Sequence, residues 1–375
     1  MRTLAGFISS ALIVALTACA SAPPPVPEPR PDEPPPVQPP PVEPPREASL
    51  RVGVVVSSTG SAILRQYSSL IVDGARVGAT AAGTARRAVE LVVHDDGGTT
   101  AGAARAVREL EQAGVRVIIG PLTDEALAAA ARARASDDLL LISPTATSDP
   151  AAVRNVYALN VVDARGAAAL GEFARRYARV GVLYSLTVEG RRHARAFTEA
   201  YGRGGHGTLT DVPFGAGVTN VVAELRRLAD ARVQALYFPA SDRELQLILP
   251  QLDYAGLTGV QLMGGENWTS DAARSMPQRV LQGAIIATPL FRESSAVAWQ
   301  EFVTRYEASY RRTLENPIPA LGYDAALLGA RAAAGASIAT DAFRAATGVL
   351  TVRGDSVTRR PFLVRIDGGR LVPVN

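Results

Sequence analysis

The sequence predicts an α/β fold of two similar lobes, each built on a parallel sheet. Three observations carry that expectation. Short apolar runs rich in Val, Ile and Leu recur along the chain, and each ends in a small, polar or Gly/Pro-marked turn. Amphipathic segments of about ten to fifteen residues separate the runs, as crossover helices would. The alternation then starts again near the middle of the chain.

The clearest unit covers residues 117–147. Val117-Ile118-Ile119 and Leu139-Leu140-Leu141-Ile142 have the length of buried strands, and an Ala-rich helix over 124–135 joins them. Both turns of this βαβ unit, Gly120-Pro121-Leu122-Thr123 and Ser143-Pro144-Thr145-Ala146-Thr147, fall at the carboxyl ends of strands. Open α/β sheets collect ligands there. Before this unit come a strand over 51–56, the loop 57–61, a helix over 69–82, a strand over 89–93 and a helix over 100–113. Ala103, Val107 and Leu110 share one face of that last helix.

The second cycle follows residues 155–162. It predicts a helix over 165–177, a strand over 180–184, and a helix from the 185–190 loop to Tyr201. Next come a short strand at Val212-Pro213-Phe214, a helix over 220–229, a strand over 235–238, and a helix from the 239–242 turn to Tyr254. A strand over 261–263 ends at Gly264-Gly265-Glu266-Asn267-Trp268. Residues 281–289 cross back, and helices follow over 296–312 and 321–334. The tail from Gly348 to Pro373 reads as two or three antiparallel strands, with Asp367-Gly368-Gly369 as a hairpin turn.

At 375 residues, 47% hydrophobic and 20% charged, the chain has ample material for a core. The net charge is +3, and all 39 basic residues are arginines scattered among acids, so no nucleic-acid surface is implied. Residues 1–18 begin with Arg2 and an apolar stretch too short to span a bilayer, the form of a signal peptide. Leu16-Thr17-Ala18-Cys19 resembles the lipobox of bacterial lipoproteins, which implies cleavage before Cys19 and lipidation of its thiol. It is the only cysteine in the chain. Ala20 in place of Asp favours the outer membrane, by similarity to Gram-negative lipoproteins. Residues 19–48 hold about half of the 26 prolines and form an extended tether. The expected location is the cell envelope, lipid-anchored on the periplasmic face.

No enzyme constellation is legible. A G-x-G-x-x-G occurs at residues 202–207, but after a helix and before a strand, the reverse of the dinucleotide context; it reads as a helix C-cap and loop. There is no P-loop and no G-x-S-x-G elbow. His94, His193 and His206 lack metal-ligand spacing. Asp95-Asp96 at a strand–turn junction read as caps for backbone N–H groups. The chain is read as non-enzymatic, with no cofactor and no metal. What remains is a set of polar strand-end positions that this fold gathers into one cleft: Ser58, Thr59, Thr123, Thr145, Thr147, Glu189, Asp242, Glu266 and Tyr323, the last beside Asp324.

The chain from Leu50 to Asn375 resembles the type I periplasmic binding proteins, specifically the leucine/isoleucine/valine-binding family. The resemblance rests on residues 51–60, 94–97, 118–123 with 142–147, 262–268, and Gly322-Tyr323-Asp324-Ala325-Ala326. It implies two Rossmann-like lobes joined by three crossovers, with an N-lobe of 49–161 and 289–348 and a C-lobe of 162–288 and 349–375. The lobes of such proteins close on a ligand between them. By position, Thr123 and the Thr145-Ala146-Thr147 turn would hold a ligand carboxylate, Glu266 would pair with an ammonium, and Tyr323 would face the cleft. Glu189 and Asp242 replace residues that are often aromatic in the family, so the cleft is expected to be acidic and poor in aromatic contacts. Asp124 and Glu125 at the start of a helix leave less positive potential for a ligand carboxylate. The expected function is presentation of a small polar solute, an amino acid or derivative, to an ABC-type transporter. The lipid anchor, the tether and Gly120-Pro121-Leu122-Thr123 also resemble lipoproteins that activate penicillin-binding proteins, so regulation of a peptidoglycan synthase is the alternative.

Overall fold

The computed structural model describes residues 47–374 apart from 85, 151–152, 162–163, 206, 271–272, 274 and 292–293. Cys19, the signal peptide, nearly all of the tether and His206 lie outside the described residues. Two parallel-based sheets dominate. The first holds β1 (Leu50–Val56), β2 (Val89–Asp95), β3 (Val117–Ile119), β4 (Leu140–Ser143) and β5 (Val156–Ala158) in the order β2-β1-β3-β4-β5, all parallel.

Alternation along β1 covers both faces of this sheet. Val52, Val54 and Val56 point to a core shared with Ile71 and Leu321 from helices Ala62–Ala82 and Ile318–Ala333. Val55 and Ile118 point to the opposite core, with Val107 and Leu127. A strand buried on both faces needs a continuous apolar run, which is why β1, β3 and β4 were legible as sequence.

The second sheet holds β6 (Arg179–Ser185), β7 (Thr208–Phe214), β8 (Ala235–Tyr237), β9 (Gln261–Gly264) and β10 (Ile285–Thr288). A small antiparallel sheet follows, made of β11 (Thr340–Ala345), β12 (Gly348–Arg353) and β13 (Ser356–Arg359). The chain then returns with β14 (Phe362–Asp367) and β15 (Arg370–Pro373), giving the second sheet the order β15-β14-β10-β9-β8-β6-β7. Gly368 and Gly369 both have positive φ, as the two-residue turn from Asp367 to Arg370 requires. The chain therefore passes between the sheets three times: after β5, after β10, and between β13 and β14.

Several expectations need correction. Residues 349–359 do not belong with the second sheet, because Leu350, Val352 and Val357 are buried in the core beneath the first sheet; only β14 and β15 join the second. A strand, β11, precedes the expected tail. The helix expected over 69–82 begins at Ala62, where Ser61 Oγ accepts the Leu64 N–H. Val212-Pro213-Phe214 is the end of a seven-residue strand, and Pro213 is tolerated because β7 is an edge. The helix expected up to Tyr254 is two helices, Asp242–Ile248 and Gln251–Tyr254, divided at Pro250, which has no N–H to continue the first.

Candidate functional site

A cavity of about 360 Å³ opens at the carboxyl ends of the second sheet. Its walls come from the segments after β6, β8, β9 and β10 and from all three passages between sheets, through Asn160, Pro289 and Pro361. Parallel strands all deliver their turns to one end, so loops distant in sequence converge there. The floor includes Tyr237, fully buried and stacked on Phe197 with ring centroids 4.3 Å apart.

Glu266 is placed by a tight local packing. Gly264 ends β9, and a Cβ on it would lie 2.1 Å from the Trp268 indole. Trp268 is buried, its indole N–H donating to the Phe238 carbonyl at 3.1 Å. With the indole fixed over Gly264, residues Glu266–Thr269 turn as a short 3-10 helix and Glu266 stands on the cavity wall. Although Glu266 keeps solvent contact, the surrounding concave wall removes part of its hydration and pushes its pKa up.

The other charged wall residues have counterparts of their own. Glu189 lies 3.7 Å from Arg192 and 3.9 Å from His193 Nε2. His193 Nε2 is buried without a hydrogen-bond partner among the described residues, and burial lowers the His193 pKa, keeping the ring neutral at neutral pH. Glu244 accepts the N–H and hydroxyl of Ser241, both at 2.8 Å, in a capping box. Arg359 donates to the Thr347 carbonyl at 2.8 Å and the Leu159 carbonyl at 2.7 Å, and also to the Thr347 hydroxyl. Burial pulls its pKa down to about 10, and Asp324 opposes that shift. Burial also lowers the pKa of Arg165, again opposed by a carboxylate, that of Asp149. Of the wall glutamates, Glu266 alone has a carboxylate with no hydrogen bond or ion pair among the described residues.

Of the expected site residues, the structure brings Glu189 and Glu266 to this cavity. Asp242 sits at the first position of its helix, between Ser241 and Glu244, which do line the cavity. The first-lobe residues are engaged with one another. Ser58 and Thr59 form an exposed turn held by Asp95, which accepts the Thr59 N–H at 3.3 Å. Thr123 caps helix Asp124–Ala133 through the Ala126 N–H, 3.3 Å away. The Thr145 hydroxyl donates to the Leu122 carbonyl at 2.6 Å, and the buried Ala146 donates its N–H to Ser143 Oγ at 3.1 Å. Thr147 donates its N–H and its hydroxyl to the Asp124 carboxylate, both at 2.8 Å.

Two expectations change. Tyr323 does not face the cavity; it is 5% exposed and packs on Phe302, ring centroids 4.9 Å apart, because its helix turns that face into an aromatic cluster with Trp299 and Tyr306. The wall is not simply acidic, since Arg165 and Arg359 join three glutamates. Arg359 was invisible in the sequence as a wall residue, because only the passage between β13 and β14 carries it there. Asp95 and Asp96 act as turn caps: Asp95 accepts the Gly97 N–H at 3.0 Å and Asp96 the Gly98 N–H at 2.7 Å. Among the described residues, no cluster of His, Cys, Asp and Glu is placed to hold a metal ion.

Residues 49–368 match the family model described as periplasmic binding protein. The structure is similar to that of a proposed branched-chain amino acid ABC transporter protein from Rhodospirillum rubrum. That likeness has 19% identity and a TM-score of 0.72, and covers 87% of this chain and 100% of that one. It is also similar to the branched-chain amino acid transporter substrate binding protein LivJ from Streptococcus pneumoniae in complex with isoleucine, at 23% identity and TM-score 0.56, covering 86% and 97% of the two chains. A solute binding protein from R. palustris in complex with benzoate gives 17% identity and TM-score 0.55, covering 87% and 96%. At these identities the likeness is one of fold. No curated protein matches in sequence.

Proposed function

We propose, because this chain belongs to the periplasmic binding protein family, that it is a lipid-anchored, non-catalytic solute-binding protein. It takes a small polar solute, an amino acid or derivative, and presents it to an ABC-type transporter. The observation that supports this most is the cavity at the strand ends, with Glu266 unpaired on its wall and all three passages between sheets around it. Movement of the lobes about those passages would open and close such a site. The family membership supports a location in the cell envelope. Lipidation of Cys19 and a Pro-rich tether would hold the protein at a membrane surface.

Thermal-shift screening of the full chain with amino acids, polyamines and sugars tests the reading. A solute that binds only the folded state at 100 times its Kd adds about 2.7 kcal/mol, a rise of several degrees. A second reading, an interaction lipoprotein that regulates a peptidoglycan synthase, is favoured by the self-satisfied hydroxyls at Thr123, Thr145 and Thr147. No thermal response to any solute, together with pull-down of a synthase, would replace the first reading by the second. Cys19→Ser should move the protein from the membrane to the soluble fraction; retention in the membrane would remove the anchor from the proposal.

A further inference from the structure

We infer that Asp124 fills the first lobe's carboxylate-binding turn with the chain's own carboxylate, so that the cleft selects a cationic amine carrying no carboxylate. The inference rests on the solute-binding reading and narrows it to a ligand class.

The turn after β4 converges four donors on one anion. Asp124 Oδ1 accepts the backbone N–H groups of Thr147 at 2.8 Å and Ser148 at 3.0 Å. Asp124 Oδ2 accepts the hydroxyls of Thr147 at 2.8 Å and Ser148 at 2.9 Å. Two backbone N–H groups on one oxygen and two hydroxyls on the other make the arrangement that would grip an external carboxylate. Here it is already saturated. Burial alone would raise the Asp124 pKa, but these four hydrogen bonds outweigh it and hold the group below its ordinary value, so it stays charged.

The turn is next in the chain to a residue that faces the cavity wall. It lies at the carboxyl end of the first sheet, and Asp149, the residue after Ser148, sits in the field of Arg165 on the cavity wall. Asp149 is held in turn by the Ser356 hydroxyl at 2.9 Å. An incoming carboxylate therefore finds its donors taken and a fixed negative charge in their midst, and like charges repel.

The wall across the cleft offers no replacement. The Arg359 guanidinium is directed at the Thr347 and Leu159 carbonyls and balanced by Asp324. Arg165 faces Asp149. Glu189 faces Arg192 and His193, and Glu244 is consumed by its own cap. Pairing each charge with its neighbour leaves two wall carboxylates without a cation, Glu244 held in its own cap and Glu266 with no partner among the described residues, and no cation over. The solute that balances such a site carries a positive charge and has no negative charge to place.

Matched pairs that differ by one carboxylate test this. The full chain in detergent is titrated calorimetrically with arginine and agmatine, lysine and cadaverine, ornithine and putrescine, and leucine and 3-methylbutylamine. The expected result is binding of at least one amine, with its parent amino acid weaker on the order of 100-fold. Asp124→Ala empties the turn and should shrink that gap to less than about tenfold by strengthening the amino acid. Asp124→Ser, which keeps a hydroxyl at the start of the helix, repeats the comparison should the alanine variant unfold. A parent amino acid that binds the wild type as tightly as its amine overturns the inference and leaves the solute-binding reading standing. A gap unchanged in both variants overturns the role of Asp124. If no compound binds wild type or variant, the solute-binding reading itself fails and the inference falls with it.

Discussion

Asp324→Ala tests how the first lobe is held together. Asp324 is fully buried in helix Ile318–Ala333. Its carboxylate accepts the Ala346 N–H at 2.7 Å, the Thr347 N–H at 3.0 Å and the Thr347 hydroxyl, which pins the turn between β11 and β12 to the helix. Arg359 reaches the same hydroxyl from β13. Alanine leaves two backbone N–H groups and one hydroxyl without their acceptor, each at about 1–3 kcal/mol. It also removes the negative charge that balances Arg359. Relaxation and entering water recover part of this, so the expected loss is about 4 kcal/mol, against a total stability of 5–15 kcal/mol for ordinary domains. The chain's two tryptophans separate the lobes. Trp299 packs beside Tyr323 in the first lobe, and Trp268 lies in the core of the second. In a Trp268→Phe background, urea unfolding followed by Trp299 emission reads the first lobe alone. With an m-value near 2 kcal/mol/M the midpoint should fall by about 2 M. Asp324→Asn keeps an acceptor but not the charge, and should cost about half as much. A shift below about 0.5 M for Asp324→Ala would refute the reasoning, since it would mean that these donors find equal partners elsewhere.

Three further outcomes follow from the site. Glu266→Gln should weaken a cationic solute by about tenfold or more. In the wild type, whose Glu266 pKa is raised by partial desolvation in the wall, that affinity should be complete at neutral pH and fall as pH drops through a value above the ordinary carboxylate range; a flat calorimetric profile down to pH 4 would remove Glu266 from binding. Gly264→Ala forces a methyl group against the Trp268 indole and should cost about 1–3 kcal/mol, with a lower Tm and weaker solute binding together. Asp124 has a depressed folded-state pKa, so its stabilisation is fully present above the unfolded value and is lost as pH falls through the folded one. The difference in urea midpoint between wild type and Asp124→Ala should therefore shrink from pH 7 to pH 3; a difference that grows on acidification contradicts the sign.

In the second sheet β6 and β8 were readable because they are buried on both faces and so are written as apolar runs, whereas β10 reads in the sequence only as a crossing. Helix starts were harder to place. Ser61 caps its helix well before the first strongly apolar turn, and that turn's exposed Ile63 and Tyr67 gave no periodic signal. Two of the cavity's three glutamates, Glu189 and Glu266, were legible as polar residues at strand ends. Tyr323 was misplaced because sequence spacing says that a helix has an inner face without saying which core that face meets.

Taken alone, the sequence determined the alternation of strands and helices, the polar residues at the strand ends, and a first stretch with Cys19 and a Pro-rich segment distinct in composition from the globular region. These are local properties, set by periodicity, turn chemistry and composition within windows of a few residues. Only the tertiary structure decided which of those polar groups are free. Whether Thr147 is open to a ligand depends on Asp124, 23 positions away, and whether Arg359 is available depends on Leu159, 200 positions away. Hydrogen-bond saturation is a pairwise property of groups brought together by folding, and no single stretch of chain contains both members of the pair.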